Sequence, residues 1–454
     1  MTATSALMQG GGAGASYRVR SPPIEPEGVS GDGKLDVKVD VAVIGAGALG
    51  LSAALHCALR SRSVAVVDRA AAGSQASGRA AGLFKSVQAD EPRTWLARRS
   101  IEKVTHFEEW AGVPLECHRS GSLLVARTPQ HKAALHSEVA HSRSWGAELR
   151  EASAAELAER AAYYRPGGNE LAVWCPEDVY IAEPGDLVQA YKSACLLHDV
   201  QIFESEAAVE VLVPGGRVTG LETGTRRIEA SVVVDAAGAW ARQVGELAGA
   251  QIAVAPVRHQ LLITEPCADV RGTDPIVRVI DAAIYLRPAR SGLMFGVFEA
   301  DPMPIDPRHQ PASFSTDDVP LDLGLLRRLA GQISAEVPLA ARTPVAEHRG
   351  GLFTMSPDGR FLIGPVPDVP GLWVASGCNG SGFSSSPAIG EVLAAWIIDG
   401  NPPAGGFASF SPARFGVLTD QVLIQKGTWQ YAHYYDPAPD QARVSPAQSG
   451  GDAR

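Results

Sequence analysis

The stretch Asp40-Val-Ala-Val-Ile-Gly45-Ala-Gly47-Ala-Leu-Gly50, followed by the apolar run Ser63-Val-Ala-Val-Val-Asp68, decides the fold. The order predicts a strand, a tight glycine turn, a helix, a second strand and an acidic residue. Gly45 permits the turn, Gly47 lets the backbone approach a pyrophosphate, and Gly50 lets the helix pack closely on the sheet. Because the start of the helix presents free N–H groups and a partial positive charge, we expect a dinucleotide here.

Asp68 ends the second apolar run, 23 residues after Gly45. A carboxylate at this place can accept hydrogen bonds from both hydroxyls of an adenosine ribose. A ribose that carries a phosphate is disfavoured, because two negative charges would meet. The pattern therefore predicts a dinucleotide and leaves FAD and NAD both open.

The bulk composition is that of a globular protein. The chain has 454 residues, 45% hydrophobic and 20% charged, which is enough for two domains. Its net charge of −10 and scattered basic residues argue against nucleic-acid binding. Six cysteines without a CxxC pair indicate a reduced protein with no structural disulfide and no metal site. No apolar run approaches the ~20 residues that cross a bilayer.

Both ends of the chain are predicted to be disordered. The first 36 residues are rich in Gly, Ser and Pro and lack the apolar core of a secretion signal, and the segment from about Asp436 to Arg454 is similar. We therefore expect a cytoplasmic protein. The aromatic segment from Trp429 to Tyr435 is either a contact surface for a partner or packs back on its own domain, and we favour the second interpretation.

The remaining pattern alternates helices and strands. Helices are predicted from about 91 to 110, over 129–145 and 152–162, and from 184 and 386, and strand-like runs over 207–213, 217–223 and 227–235, with a hairpin turn at 214–216. Residues 251–343 alternate short strands with proline-rich turns, which is typical of an antiparallel sheet.

Several separated motifs agree with one family. They are the Gly45–Gly50 turn with Asp68, Ser77-Gly78-Arg79, Ala236-Ala-Gly238-Ala-Trp240, Ser356-Pro-Asp-Gly359, Ile363-Gly-Pro365 and Gly380–Gly390. In this order, over about residues 38–415, they resemble the flavin-dependent amine oxidoreductases typified by D-amino acid oxidase, glycine oxidase, sarcosine oxidase and dimethylglycine dehydrogenase. The resemblance favours FAD over NAD.

The resemblance, together with the strand pattern, implies an α/β fold (α+β overall). A Rossmann-type, glutathione-reductase-like FAD-binding domain is combined with an antiparallel-sheet substrate domain. The boundaries are a disordered extension at 1–36, a discontinuous FAD-binding domain at 37–110, 177–250 and 344–404, a substrate domain at 111–176 and 251–343, and a C-terminal tail at 405–454.

The resemblance also implies roles for the cofactor residues. The Ser77–Gly82 loop passes the flavin ring, and the Gly380–Ser384 turn starts a helix at the flavin N1–C2=O edge, where N–H groups stabilise the charge of reduced flavin. The predicted FAD-binding residues are Gly45, Ala46, Gly47, Leu49, Gly50, Asp68, Arg69, Ser77, Gly78, Arg79, Gly82, Val209, Ala237, Gly238, Trp240, Gly351, Gly380, Gly382, Phe383 and Ser384.

The chain departs from the family at the places of covalent attachment. Relatives with covalent flavin carry Cys where Gly351 stands, or His where Arg79 stands. The prediction is therefore non-covalent FAD. Relatives of the sarcosine oxidase type also carry cationic or histidine side chains where Ser384, Met294 and Phe298 stand, and losing a cation beside the flavin favours a dehydrogenase over an oxidase.

Four residues are predicted to be catalytic: Tyr285, Arg287, Arg349 and Ser384. Tyr285 matches a substrate-site tyrosine of the family. Arg287, Arg349, His259 and His348 are candidates for holding an acidic group, since Arg can bind both oxygens of a carboxylate. Arg349 is preferred because it directly precedes Gly350-Gly351.

The predicted function is oxidation of the C–N bond of an amino acid or N-methylated amine to an imine, by hydride transfer to flavin N5. The alternatives are an FAD-dependent 2-hydroxy-acid dehydrogenase and a non-catalytic, flavin-bound assembly protein. The expected partner is a small-molecule amine or amino acid, and an electron-acceptor protein or a partner subunit stays open.

Overall fold

Two large sheets dominate the computed structural model, which describes residues 28–29, 34–403 and 405–436. The strands are β1 Gly28–Val29, β2 Leu35–Lys38, β3 Val41–Ile44, β4 Val64–Asp68, β5 Leu83–Phe84, β6 Ser122–Ala126, β7 Arg150–Ala152, β8 Leu171–Cys175, β9 Val179–Tyr180, β10 Gln201–Glu204, β11 Ala208–Leu212, β12 Gly220–Thr223, β13 Arg226–Glu229, β14 Val232–Asp235, β15 Ala255–Thr264, β16 Ile276–Val279, β17 Ile284–Ala289, β18 Gly292–Val297, β19 Val345–Met355, β20 Leu362–Pro365 and β21 Leu372–Ser376. The helices are α1 Ala48–Leu59, α2 Glu91–Thr105, α3 Phe107–Ala111, α4 Pro129–Ser144, α5 Ala154–Arg160, α6 Pro184–Leu197, α7 Ala241–Leu247, α8 Leu323–Ala330, α9 Pro338–Arg342, α10 Gly382–Asp399 and α11 Asp420–Ala432.

The six-stranded sheet has the order β10-β4-β3-β14-β21-β20, and its neighbouring strands are parallel except for β20 and β21. The predicted β3-α1-β4 unit is confirmed at the centre of this sheet. β3 is buried along its whole length, as expected for a parallel strand covered on both faces. On one face, α1, α6 and α10 form a common core with the sheet. The glycine turn therefore lies at the carboxyl edge of a rigid layer.

The eight-stranded sheet has the order β19-β15-β18-β17-β16-β6-β8-β7. It is antiparallel as predicted, except that β16 and β6 run parallel. β19 pairs with β15 along almost its whole length, although the sequence analysis grouped this segment with the FAD-binding domain. The strand is placed by a partner distant in the chain, which local pattern does not reveal. Its Arg349 and Gly351 are thereby carried to the junction of the two large sheets.

A smaller sheet, β1-β2-β13-β12-β11, corrects two predictions. β1 pairs with β2, so residues 28–29 and 35–36 are strand rather than disordered extension. Residues 1–27, 30–33 and 437–454 lie outside the described part of the chain. The predicted single run 227–235 is two strands, because the chain crosses from this sheet (β13) to the six-stranded sheet (β14) at Ala230-Ser231.

Two helix boundaries also differ from the prediction. The helix expected over 91–110 is broken at His106, where the backbone leaves helical geometry between α2 and α3. α10 begins at Gly382, four residues before the predicted start, and contains Pro387. Proline lacks an N–H, and the hydroxyl of Ser386 donates instead to the carbonyl of Phe383 at 2.9 Å. The predicted helices at 129–145, 152–162 and 184 are confirmed as α4, α5 and α6.

The C-terminal helix α11 packs against the eight-stranded sheet. A Cβ added at Gly427 would lie 2.6 Å from Cβ of Ala255 on β15, so the two elements are in close contact. Tyr431 is fully buried at this interface, whereas Trp429 is 48% exposed. The prediction that the aromatic segment packs back on its own chain is confirmed for Tyr431. No helix within the described residues combines the length and apolar character needed to span a bilayer.

Candidate functional site

One large cavity, of about 890 Å³, runs between the two large sheets. We call the part lined by β3, α1, β4 and the segment after β14 the dinucleotide end. We call the part lined by β15, β16, β17 and β19 the substrate end. Its volume is at the upper part of the range usual for ligand sites, about 300–1,000 Å³.

The glycine turn at the dinucleotide end is fixed by backbone contacts. Gly45 has φ +111°, and a Cβ there would lie 2.5 Å from the carbonyl oxygen of Ala236. A Cβ on Gly50 would lie 1.8 Å from the carbonyl oxygen of Gly45. Gly47 and Leu49 line the cavity. Gly50 instead shapes the turn from behind, since it lies outside the cavity wall.

Asp68 lies in the cavity wall with both oxygens held by backbone. The N–H of Ala46 donates to its Oδ2 at 2.7 Å and the N–H of Ala70 to its Oδ1 at 2.8 Å. Burial raises the pKa of Asp68, and these two hydrogen bonds oppose the rise. Each oxygen keeps lone pairs for a further donor, such as a ribose hydroxyl. Ala46 thus orients Asp68 and lies outside the cavity wall.

Residues 307–318 cross the dinucleotide end, and we call this segment the strap. Arg69 donates from Nη2 to the carbonyl oxygens of Ala312 (2.7 Å) and Phe314 (3.1 Å), and its guanidinium lies 5.0 Å from the Trp240 ring. Arg79 forms an ion pair with Asp317. The two predicted arginines therefore line the cavity while their charged groups hold the strap.

The opposite wall of the dinucleotide end follows β14. Ala237, Gly238 and Trp240 line the cavity as predicted, and a Cβ on Gly238 would meet no atom within 4 Å. Val209 does not line the cavity: its side chain is 52% exposed, and the neighbouring Ala208 lines the wall instead. The pairing of β11 with β12 shifts register between Ala208 and Glu210, and Val209 lies at this irregularity.

The predicted flavin-side residues meet at the middle of the cavity. Those in the wall are Ser77, Gly82, Gly351, Gly380, Gly382, Phe383 and Ser384. Ser77 accepts the N–H of Ala48 at 3.0 Å, which joins its loop to the start of α1. Gly78 lies outside the wall. The absence of a Cβ at Gly78 leaves room for the carbonyl oxygen of Gly73. The hydroxyl of Ser384 donates to the carbonyl of Ser381 at 3.1 Å.

Tyr285 and His259 form the floor of the substrate end. The Tyr285 hydroxyl lies 2.9 Å from Nε2 of His259, whose Nδ1 lies 2.8 Å from the Tyr431 hydroxyl. Burial lowers the pKa of His259 to about 3. Burial raises the pKa of Tyr285, and the charge of Arg349 opposes the rise. Both groups are therefore neutral at physiological pH and available as hydrogen-bonding groups.

Arg349 is 7% exposed and lines the cavity. Its Nη1 lies 3.3 Å from Oε1 of Glu347, while Nε and Nη2 have no partner among the described residues. Burial lowers the pKa of Arg349, but an arginine pKa starts high enough to keep the charge. A buried cation with two unused donors is the arrangement expected for binding a carboxylate.

Arg287 does not reach the substrate end, contrary to the prediction. It is fully buried, and its guanidinium donates to the carbonyl oxygens of Ala81 (2.7 Å), Ala182 (2.8 Å) and Pro288 (2.6 Å). It therefore joins the loop after Arg79 to β17. His348 also lies outside the wall, with Nε2 at 3.1 Å from Oε1 of Gln260.

Sequence reasoning missed four residues of the substrate end: Lys85, Arg278, Tyr434 and Tyr435. The ammonium of Lys85 donates to the Tyr434 hydroxyl and lies 4.6 Å from the Tyr434 ring centre. Arg278 could have been identified from the sequence, because it is a cation inside the apolar run of β16. The two tyrosines follow α11, and only the fold brings them to the cavity.

The described residues contain no group of three or more His, Cys, Asp or Glu side chains placed to hold a metal ion. The cavity fits FAD instead. Backbone at Gly47 and Gly238 is open to the cavity, and Asp68 has free acceptors. Gly351, Gly380 and Gly382 line the middle of the cavity, where the isoalloxazine ring would lie.

The model of the family described as "FAD dependent oxidoreductase" (DAO) matches residues 40–396. The chain belongs to this family. The match covers all strands of the six-stranded and eight-stranded sheets and most of α10. The predicted family and the predicted FAD cofactor are confirmed.

Curated relatives include enzymes that act on amines or amino acids. Dimethylglycine dehydrogenase of Rattus norvegicus is 26% identical over 90% of this chain and 47% of its own length. The formaldehyde-forming 4-methylaminobutanoate oxidase of Paenarthrobacter nicotinovorans is 28% identical over 81% and 44%. Glycine oxidase of Pseudomonas aeruginosa is 27% identical over 82% and 98%. The chain thus spans less than half of the first two relatives.

Solved structures of the same fold include L-proline dehydrogenase from P. horikoshii, with a TM-score of 0.75 and 22% identity over 83% of this chain and 98% of that one. Glycine oxidase from Geobacillus kaustophilus has a TM-score of 0.71 and 22% identity, over 84% of this chain and 100% of that one. These similarities support the mixed α/β fold with several sheets.

Proposed function

We propose that the protein oxidises the C–N bond of an amino acid or N-methylated amine to an imine, with non-covalent FAD as the acceptor. The observation that carries the proposal is the buried guanidinium of Arg349, whose Nε and Nη2 have no partner among the described residues, in the same cavity as the glycine turn. Bound FAD supplies a two-electron acceptor, at flavin N5, for the hydride of the α C–H bond. The finer assignments, a Rossmann-type, glutathione-reductase-like FAD domain and the domain boundaries predicted above, belong to this proposal.

The chain's own residues bind and orient the substrate. Arg349 donates from Nε and Nη2 to a carboxylate, and the neutral pair of Tyr285 and His259 offers hydrogen bonds beside it. Phe298 and Tyr434 stack with their ring centres 4.1 Å apart and form an aromatic part of the wall at this end. The start of α10, with Ser384 in its first turn, directs N–H groups to the middle of the cavity.

Four positions support non-covalent binding or a preference for an acceptor other than oxygen. Gly351 and Arg79 stand where relatives with covalent flavin carry Cys or His, and Cys378, although it lines the cavity, has its pKa raised by burial to about 11. Met294, at the place of an oxygen-activating lysine, is fully buried in an apolar cluster and does not line the cavity. A dehydrogenase, passing electrons to a separate acceptor or partner subunit, is therefore favoured.

Anaerobic mixing of the FAD-loaded protein with candidate donors tests the proposal. The panel contains sarcosine, dimethylglycine, 4-methylaminobutanoate, proline and D- and L-amino acids, with loss of oxidised-flavin absorbance as the readout. We expect at least one amine to bleach the flavin, and Arg349→Met to weaken this donor while FAD content and reduction by dithionite stay unchanged. Air admitted afterwards shows whether oxygen reoxidises the flavin.

Two other outcomes would replace the proposal. Bleaching by 2-hydroxy acids alone would indicate a hydroxy-acid dehydrogenase, since a carboxylate-binding arginine suits that substrate equally well. No bleaching by any donor would indicate a flavin-bound assembly protein. A curated relative in Mus musculus is named as a regulatory subunit of pyruvate dehydrogenase phosphatase and is 25% identical over 85% of this chain and 44% of its own length, which supports this alternative by name alone.

A further inference from the structure

The substrate end has a second cationic position besides Arg349. Lys85 and Arg278 both line the cavity, and Arg278 is 2% exposed with an Nε that has no partner among the described residues. Lys85 follows β5 and Arg278 lies on β16, so two separate elements place a positive charge on the same wall.

An aromatic wall separates this position from Arg349. The Tyr285 phenol, on which the Arg349 charge acts, is hydrogen-bonded to His259. The ring centres of His259 and Phe298 lie 4.9 Å apart, and those of Phe298 and Tyr434, which stack, lie 4.1 Å apart. The Tyr434 hydroxyl accepts a hydrogen bond from the Lys85 ammonium. In this series of side chains, the positive charges are therefore those of Arg349 at one end and Lys85 at the other.

The carboxylates near the second position lie behind the wall. Asp178 pairs with Arg278 at 3.4 Å and accepts hydrogen bonds from Ser86 and Ser122, and Glu138 is close enough to feel the charges of Arg278 and Lys85. Neither lines the cavity. Among the described residues, the carboxylates that do line it are Asp68 and Glu246, which belong to the dinucleotide end. The surface offered to a ligand at the second position is cationic.

We propose that the substrate is a dianionic amino acid, whose α-carboxylate binds Arg349 and whose second carboxylate, on the side chain or on the nitrogen substituent, binds Lys85 and Arg278. This inference rests on the proposed function for the reacting amine. A second carboxylate can give an acceptor to the buried Nε of Arg278, which has no partner among the described residues, whereas a monoanionic amino acid offers none there.

Binding of unreactive acids tests the two-anion site without turnover. Glutarate and glutaramate have the same shape and differ by one charge, and each is titrated into the FAD-loaded protein while the flavin absorbance is followed. We expect a Kd for glutarate at least about tenfold below that for glutaramate, since a hydrogen bond to a charged group contributes roughly 1.5–3 kcal/mol.

Variants of Lys85 locate the effect. Lys85→Met removes the charge at similar length and should reduce the glutarate preference severalfold, whereas Lys85→Arg should retain it. A ratio near one in the unmodified protein, or a ratio that Lys85→Met leaves unchanged, overturns the inference. Because the first of these readings needs no variant, a folding defect cannot obscure the result.

Reactive analogues separate this inference from the proposed function. N-methylglutamate should reduce the flavin at lower concentration than N-methylglutamine. Reduction by both at equal concentrations, with no glutarate preference, would overturn the dianionic substrate and keep the amine oxidation. Selective glutarate binding with no reduction by any amine would overturn the amine oxidation and support the two-anion site.

Discussion

The two ends of the cavity are built in different ways. The dinucleotide end is made largely of backbone, since Gly45, Gly50 and Gly238 are needed for close approach or for open space. The substrate end is made of side chains, such as Arg349 and Tyr434, from strands and loops far apart in the chain. Contacts from backbone depend little on side-chain identity, whereas the substrate end depends on the identity of each side chain.

The largest effect that tests this contrast is expected at Gly50. Its Cβ would lie 1.8 Å from the carbonyl oxygen of Gly45, so Gly50→Ala must displace the turn. We expect a loss of about 3 kcal/mol or more in the free energy of unfolding and little bound FAD. Chemical denaturation and the flavin-to-protein absorbance ratio measure both.

Gly185→Ala is the matched control. Gly185 also lies in the first turn of a helix, α6, and a Cβ there meets no atom within 4 Å. This variant should keep its FAD and its stability. Normal FAD content in Gly50→Ala would show that the dinucleotide end tolerates displacement of its backbone, which would contradict the proposed difference between the two ends.

The next largest effect is expected at Arg349. Arg349→Met removes the carboxylate partner, so the apparent Kd of the reducing substrate should rise about 100-fold with FAD affinity unchanged. Anaerobic titration measures the substrate and fluorescence of released flavin measures FAD. Arg60→Met, at an exposed arginine paired with Asp399, should change neither. An equal loss of FAD affinity in Arg349→Met would argue against separate ends.

The two ends should respond to pH in opposite directions. His259 has a folded pKa of about 3 against an ordinary 6.5, so between these values the unfolded chain binds an extra proton and acid destabilises the fold. Asp235, buried at the end of β14, has a folded pKa of about 8 against 3.8, so the folded chain holds the extra proton and stability falls as pH rises through this window.

Denaturant unfolding across pH 4–9 checks these signs. His259→Gln should reduce the loss in the free energy of unfolding between about pH 6 and 4 by about 1–2 kcal/mol. Asp235→Asn should reduce the loss in the free energy of unfolding between about pH 5 and 8 by a similar amount. The acid response should persist in part, because the pKa of His56 is also lowered by burial to about 3. Unchanged slopes in both variants would contradict the assigned protonation states.

The smallest effect is expected at the strap. Arg69→Leu removes two hydrogen bonds to strap carbonyls, at Ala312 and Phe314, and should weaken FAD about tenfold through a faster off-rate. Stopped-flow release of flavin into excess apo-acceptor protein measures this rate. Arg227→Leu, at an exposed arginine of the small sheet, is the control and should release FAD at the normal rate. A faster rate in both would point to general loosening.

The dinucleotide end could be predicted from sequence because its requirements are local. Gly45, Gly47 and Asp68 occur in one short β3-α1-β4 unit, whose spacing follows from the fold itself. The boundary of α10 was misjudged because the Ser386 hydroxyl compensates for Pro387, which pattern alone does not show. Val209 does not line the cavity because it lies at a register shift of β11, which local pattern does not show.

The substrate end could be predicted only in part. Arg349 was preferred for its position before two glycines, and the structure places it in the cavity wall. Arg287 was an equally good candidate by residue type, but three backbone carbonyls occupy it. Such a difference depends on contacts between segments far apart in the chain, which no local spacing reports.

The position of Tyr434 and Tyr435 has a consequence for classification. The family match ends at residue 396, while these side chains follow α11 and line the cavity at its substrate end. Proteins grouped by the shared region can therefore have the same cofactor chemistry and still act on different substrates. Transfer of a substrate name between such proteins requires comparison of the residues that follow the shared region, where selectivity can evolve without disturbing the flavin.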